Sequence, residues 1–198
     1  PTLAADVAAV YDTIPGVFGP EDNTLAFGRA WCGLRGVRAE PGMRQRIYEL
    51  ERVAADLPVV PGALRTATRA DGALVIAWFD AFHQEAGVPG GDFVARVEQR
   101  IEARRIHVWD VAGDAVSLAG IAGRSPNGAR IGPVYTPPPL RGRGYATAAV
   151  AELSRRVLHE SHRFCFLYTD LANPTSNAIY ERIGYRPVCD VVDALFQR

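Results

Sequence analysis

The chain contains no lysine; all 22 of its basic residues are arginine. This excludes Schiff-base chemistry on a lysine and the Gly-Lys-Ser/Thr loop of Walker A proteins, because both need a primary ammonium side chain. Cysteine is scarce as well. Cys32, Cys165 and Cys189 are odd in number, far apart and form no CxxC or Cys/His cluster, so neither a disulfide framework nor a zinc site is expected, and a reducing cytoplasm is the simplest setting. Cys165, within Phe164-Cys165-Phe166-Leu167, reads as a small buried hydrophobe rather than a nucleophile. The four histidines lack metal-ligand spacing, so no metal is expected, and His159 and His162 are read as partners of a helix C-terminus.

Charge bias is also missing. The 22 acidic residues balance the 22 basic ones for a net charge of +0, which argues against a broad attraction to nucleic acid or to a membrane surface. No apolar run is long enough to span a bilayer, and the N-terminus shows no signal-peptide pattern. The first residue is Pro1, so the natural start is expected to lie outside this sequence.

What is present is enough for one full domain and a partial one: 198 residues, 48% of them apolar. A loop over residues 56–62, with Pro58, Pro61 and Gly62, marks the junction, giving a partial unit over 1–60 and a domain over 61–198. In the first part the pattern predicts helices over 3–11 and 22–31 with turns at Pro15-Gly16 and Gly19-Pro20, and leaves 44–53 open between strand and helix. In the second part it predicts a strand over 62–68, then a helix capped by Thr68 to Asp71 with Leu74, Trp78 and Phe82 on one face, and a break at 87–91. A helix with Phe93, Val97 and Ile101 on one face follows, then a hairpin of 106–111 with 116–122, and a strand over 130–135. A helix with Ala146, Ala149, Val150, Leu153 and Val157 inward, a strand over 164–169, a short helix from Asn173 to Ile183 stopped by Gly184, and one or two strands over 185–196 complete the order.

The chemistry centres on Val134 to Ala146. Pro137, Pro138 and Pro139 remove three backbone donors in a row, whereas Leu140, Arg141, Gly142, Arg143, Gly144, Tyr145, Ala146 and Thr147 offer an unbroken run of N–H groups. A strand, a stiff bend and a helix N-terminus in that order form an anion cradle. A Walker A loop is excluded by the missing lysine. A Rossmann fingerprint is excluded by Thr147, which stands where Gly or Ala would follow Gly142-x-Gly144. Downstream, Asn173, Asn177 and Tyr180 stand at i, i+4 and i+7 and share a helix face; Asn173 can also cap and Pro174 suits the first turn.

Arg141-x-x-Gly144-x-Ala146 is similar to the Q/R-x-x-G-x-G/A pyrophosphate motif of the GNAT superfamily of acyl-CoA-dependent N-acyltransferases, with Val134 on the preceding strand. Residues 170–185, Asp-Leu-Ala-Asn-Pro-Thr-Ser-Asn-Ala-Ile-Tyr-Glu-Arg-Ile-Gly-Tyr, resemble that superfamily's second signature. The resemblance implies an α/β fold of the α+β type, with a mixed, largely antiparallel twisted sheet flanked by helices on both faces. It implies acetyl-CoA as co-substrate, held by Val134, Tyr135, Thr136, Arg141, Gly142, Arg143, Gly144, Tyr145, Ala146, Thr147, Asn173, Asn177 and Tyr180, and a small-molecule or peptide amine as acceptor. Within it Tyr180 is placed by the coenzyme sulfur as hydrogen-bond donor to the departing thiolate, and the N–H of Val134 or a neighbour would polarise the thioester carbonyl. Asp80, Glu85, Asp110 and Asp170 are candidate bases, and none is assigned. Residues 1–60 faintly echo the back half of a GNAT unit, without its signatures, and are read equally as an arm for a homodimer. A non-catalytic acyl-CoA-binding or sensory module is the alternative function.

Overall fold

The computed structural model describes residues 2–87, 93–160 and 162–197. The expected break at 87–91 falls largely outside them. Among the described residues eight strands make a mixed, mostly antiparallel arrangement with six α-helices, as the fold class anticipated. The chain divides into two compact units, one of residues 1–48, 168–178 and 186–198 and the other of 49–167 and 179–185.

In the first unit, α1 (Thr2–Val10) precedes β1 (Gly16–Pro20), α2 (Glu21–Arg35), all but the last two residues of β2 (Arg38–Leu50) and, from the far end of the chain, β8 (Arg186–Gln197). The predicted turns at 15–16 and 19–20 are instead the ends of β1, which pairs antiparallel with β8 from Gly16↔Leu195 to Pro20↔Val191. Glycine suits this strand because a Cβ on Gly16 would lie 2.6 Å from the Ala194 carbonyl oxygen. Glu21 and Asp22 favour the positive end of α2, and Gly36, at φ 66°, closes it. Trp31 is buried between Phe27 and Phe196, with ring centroids 6.1 and 6.0 Å away. The open segment 44–53 resolves largely as strand, because Tyr48 and Leu50, two apart, are the buried pair.

The second unit carries β3 (Ala63–Thr66), a 3-10 turn (Arg69–Asp71), α3 (Gly72–Glu85), α4 (Val94–Glu102), β4 (Ile106–Val111), β5 (Asp114–Arg124), β6 (Gly128–Tyr135), α5 (Tyr145–His159) and the start of β7 (Phe164–Asp170). It also holds the second half of α6 (Pro174–Ile183). Its strands lie in the order β7-β6-β5-β4-β3. All pairs are antiparallel except β6 with β7, where Gly128↔Phe164 to Arg130↔Phe166 run parallel. A parallel neighbour needs a crossover, and α5 supplies it.

The first face of this sheet meets α3 and α4 through Trp78, Phe79, Phe93, Val97, Ile101, Ile106, Val108, Leu118 and Tyr135. The α4 stripe matches its sequence pattern, but α3 is rotated from expectation: Val75, Trp78 and Phe79 are buried while Leu74 is 38% exposed. Thr68 and Asp71 form the anticipated capping box, with the Thr68 amide donating to Asp71 Oδ2 at 2.7 Å. Arg65 holds the same carboxylate through two hydrogen bonds of 2.8 and 2.9 Å, and this keeps the Asp71 carboxyl well below the usual range.

Candidate active site

At the end of β6 the chain turns through Thr136 and Pro137 into a 3-10 turn, Pro138–Leu140, before α5 starts at Tyr145. Gly142 and Gly144 take φ values of 77° and 81°, the left-handed region that side-chain-bearing residues avoid. At Gly144 space is also limiting, since a Cβ would approach Val60 Cγ2 to 3.0 Å. Gly144 is the residue before the helix, and its carbonyl accepts from Ala148 at 3.0 Å.

The first turn of α5 has no side-chain cap and no acidic residue. Helix geometry leaves its leading N–H groups, those of Tyr145, Ala146 and Thr147, without intrahelical acceptors. These donors and the positive helix end fit a pyrophosphate: they supply N–H groups rather than side chains, and both glycines keep Cβ atoms off the approach. Thr147 is buried, Tyr145 and Ala146 are half-buried, and Arg143 is exposed, its Nη2 3.4 Å from the Pro139 carbonyl.

Arg141 is engaged elsewhere. Its Nη2 donates to Glu85 Oε2 at 2.6 Å, its Nε donates to the Thr136 carbonyl at 2.9 Å, and its guanidinium carbon lies 5.7 Å from the Tyr135 ring centroid. The Tyr135 hydroxyl donates to the other Glu85 oxygen at 3.1 Å, and burial, followed by that carboxylate, raises the phenol's pKa. Ser117 Oγ fixes the strand end below, donating to the Tyr135 carbonyl at 3.1 Å and lying 2.8 Å from Thr136 Oγ1. Local sequence carries no signal for either contact. Glu85 stands 56 residues before Arg141 and Ser117 stands 19 before Thr136.

The four candidate bases separate by their partners. Asp110 accepts from Arg65 and from the Gly113 amide, both at 2.8 Å, Asp80 accepts from Gln84 at 2.8 Å, and Asp170 accepts from the Ala172 amide at 2.8 Å. Glu85 is the one of the four whose hydrogen bonds reach the loop. Val134, half-buried on β6, pairs with Ala119 beside an irregularity in the β5–β6 register that falls between Ala119 and Ile121.

Tyr180 is buried, and the Tyr185 ring meets its own edge-on at a centroid distance of 5.9 Å. Burial pushes its phenol up to about 12. Behind it, the Tyr185 hydroxyl and Ser154 Oγ are 2.8 Å apart, and Cys165 Sγ donates to the Ser154 carbonyl at 3.8 Å. Cys165 is fully buried, and burial drives its thiol to about 12, so it is the inert hydrophobe its neighbours suggested.

In the first unit, Asn173 caps α6, its Oδ1 accepting from the Ser176 amide at 3.0 Å. Asn177 Nδ2 donates to the Asp170 carbonyl at 3.2 Å, while its buried Oδ1 has no hydrogen-bond partner among the described residues. The loop residues and Tyr180 thus share one unit, and Asn173 and Asn177 belong to the other. Among the described residues no cluster of three or more His, Cys, Asp or Glu could hold a metal ion, and no helix is long and apolar enough to cross a membrane.

Residues 110–192 match the family model described as FR47-like protein. No curated protein sequence matches the chain. Among solved structures, an acetyltransferase of the GNAT family from Colwellia psychrerythraea superposes with a TM-score of 0.69 at 14% identity, over 98% of this chain and 70% of that one. A GCN5-related N-acetyltransferase from Sphaerobacter thermophilus gives 0.62 at 17% identity, over 96% of this chain and 62% of that one. A tandem GNAT protein from the clavulanic acid biosynthesis pathway gives 0.63 at 18%, over 92% and 62%. The chain therefore has the fold of these GNAT structures.

Proposed function

We propose that the protein is an N-acetyltransferase that moves an acetyl group from acetyl-CoA to a primary amine of a small molecule or peptide, by direct attack in a ternary complex. The observation that carries this reading is the uncapped, acid-free first turn of α5 behind two left-handed glycines. The coenzyme pyrophosphate would lie on the N–H groups of residues 145–147, each aligned N–H to a charged oxygen contributing about 1.5–3 kcal/mol. Bound acetyl-CoA supplies the thioester. The N–H of Val134, beside the irregularity in the strand register, would polarise the carbonyl oxygen as the amine attacks.

As the carbon–sulfur bond breaks, the electron pair goes to sulfur, and the amine nitrogen gives up its proton to solvent or to a carboxylate. Tyr180 donates a hydrogen bond to the departing sulfur. With its phenol near 12 and a free thiol near 8.5, complete proton transfer would be uphill by about 5 kcal/mol, so Tyr180 stabilises the thiolate without first surrendering its proton. Tyr180→Phe should lower kcat by about 10-fold to 100-fold and leave the dissociation constant for coenzyme A within about twofold, measured by thiol release and by calorimetry. Unchanged turnover removes Tyr180 from the mechanism. Coenzyme binding with no thiol release for any amine in a broad panel would retire the catalytic reading in favour of a binding module.

A further inference from the structure

Arg141 stands in the loop that offers its N–H groups to an anion, yet its guanidinium is turned into surroundings made for a cation. Glu85 Oε2 accepts from its Nη2 at 2.6 Å, the Thr136 carbonyl accepts from its Nε at 2.9 Å, and the Tyr135 ring centroid lies 5.7 Å from its guanidinium carbon. A carboxylate, a carbonyl oxygen and an aromatic face each attract positive charge.

Contacts other than those to Arg141 hold these groups in place. The Tyr135 hydroxyl donates to Glu85 Oε1 at 3.1 Å, which aims the carboxylate at the end of β6. Tyr135 is buried, its ring centroid 6.3 Å from that of Trp78. Ser117 Oγ donates to the Tyr135 carbonyl at 3.1 Å and lies 2.8 Å from Thr136 Oγ1, so the strand end that carries the Thr136 carbonyl is fixed. Withdrawal of the guanidinium would leave the site standing with an uncancelled negative charge on Glu85. All of these residues belong to one compact unit.

The guanidinium is held there weakly. The Glu85 and Arg141 side chains are 45% and 48% exposed, and an exposed ion pair is worth up to about fivefold in an equilibrium. A charge-assisted hydrogen bond to a phosphate is worth about tenfold or more. Arg141 precedes Tyr145, the first of the proposed phosphate donors, by a short turn folded back at the left-handed Gly142 and Gly144. A pyrophosphate on that turn therefore outcompetes Glu85 for Arg141. The site so vacated begins beside Val134, the proposed carbonyl donor, with the Thr136 carbonyl roughly 7 Å further along the chain. An alkylamine near neutral pH arrives there as an ammonium ion.

We propose that Glu85, the Tyr135 ring and the Thr136 carbonyl bind the ammonium group of the acceptor, and that Arg141 fills this site until the coenzyme pyrophosphate draws it away. This rests on the acyl-transfer reading above. Coenzyme binding then precedes and strengthens amine binding. The acceptor is a primary alkylammonium with no carboxylate beside its nitrogen, because such a carboxylate would face Glu85 as a like charge. A single α-amino acid is thereby disfavoured.

The test is a ligand-detected NMR titration with n-butylammonium, and with n-butanol as the neutral analogue, in the presence and absence of saturating coenzyme A. For the parent, coenzyme A should tighten n-butylammonium binding about threefold to fivefold and leave n-butanol unchanged, and by reciprocity n-butylammonium should tighten coenzyme A by the same factor. Arg141→Gln should bind n-butylammonium without coenzyme as tightly as the parent does with it, within about twofold. Glu85→Gln should bind it weakly under both conditions. Both side chains are about half exposed, so these variants test the site rather than the folding of the chain. Tightening that survives Glu85→Gln would mean that the coenzyme's own charge attracts the amine, and an Arg141→Gln variant with parental affinity in the absence of coenzyme would mean that nothing was masked; either overturns the proposal. Thiol release is scored separately: coupled binding without release retires the acyl-transfer reading alone, and release without coupling retires the ammonium site alone.

Discussion

The two faces of the sheet in the second unit are both well buried, yet they are made of different matter. Against α3 and α4 the sheet presents an apolar and aromatic layer of Ile106, Val108, Leu118 and Tyr135. Against α5 it buries His107, whose charged neighbours are Arg156 of that helix and Glu160 just past its end, and Ser154, Cys165 and Tyr185 are buried in the same unit. Alternation along β4 sends Ile106 and Val108 one way and His107 the other. The apolar face tolerates loss of contacts in proportion to area. The polar face also depends on protonation and on hydrogen bonds being met, and the proposed coenzyme loop is the entry to its helix.

The largest expected effect strikes that entry. Gly144→Val places a β-branched side chain at φ 81° and 3.0 Å or less from Val60, so coenzyme A affinity should fall at least about 100-fold, or ~2.7 kcal/mol. An affinity within threefold of wild type would mean that this loop is not the anion site.

Next is the protonation of His107. Burial, followed by the charge of Arg156, lowers its pKa to about 4, and its Nδ1 has no hydrogen-bond partner among the described residues. On acidification the unfolded chain takes up this proton first, near pH 6.5. The stability tied to neutral His107 is therefore complete above that pH and is lost as pH falls toward 4, by up to roughly 3 kcal/mol. Melting curves of His107→Gln between pH 7 and 4 should be flatter than those of the parent; parallel curves would show that protonation there is solvated.

On the apolar face the sensitive point is the start of α3. Asp71→Ala removes the capping box and two hydrogen bonds from Arg65, which should lower stability by about 1–2 kcal/mol above pH 4. Because the Asp71 pKa is depressed, that contribution disappears only as pH drops below the ordinary carboxylate range, which a denaturant titration at pH 7 and at pH 2.5 separates.

The smallest effect falls where the apolar face meets the loop. Glu85→Gln frees Arg141 from an exposed pair, so coenzyme affinity should rise about twofold to fivefold, under 1 kcal/mol. A fall in affinity would show instead that Glu85 positions the loop.

Much of this was legible in the residues. The stripe of Phe93, Val97 and Ile101 and the capping by Asn173 and Thr68 are local, set by periods and side-chain chemistry within a turn or two. The strand at Gly16–Pro20 was not, because its glycines and proline spell a turn and only pairing with β8 makes them a strand. The face of α3 was misread by a fraction of a turn: Leu74 and Val75 fit a helical stripe about equally well, and packing against the sheet selects Val75. For Arg141, sequence placed the guanidinium near an anion but offered the phosphate, and the fold supplied Glu85.

By itself the sequence determined the turn into α5, because the bend and the left-handed positions are written in where proline and glycine stand, and it determined the exclusion of lysine chemistry. Tertiary structure alone decided which charges are cancelled. Arg141 and Arg100 are the same residue type, yet one meets Glu85 and the other an aromatic face, and distance through space, not along the chain, sets that difference.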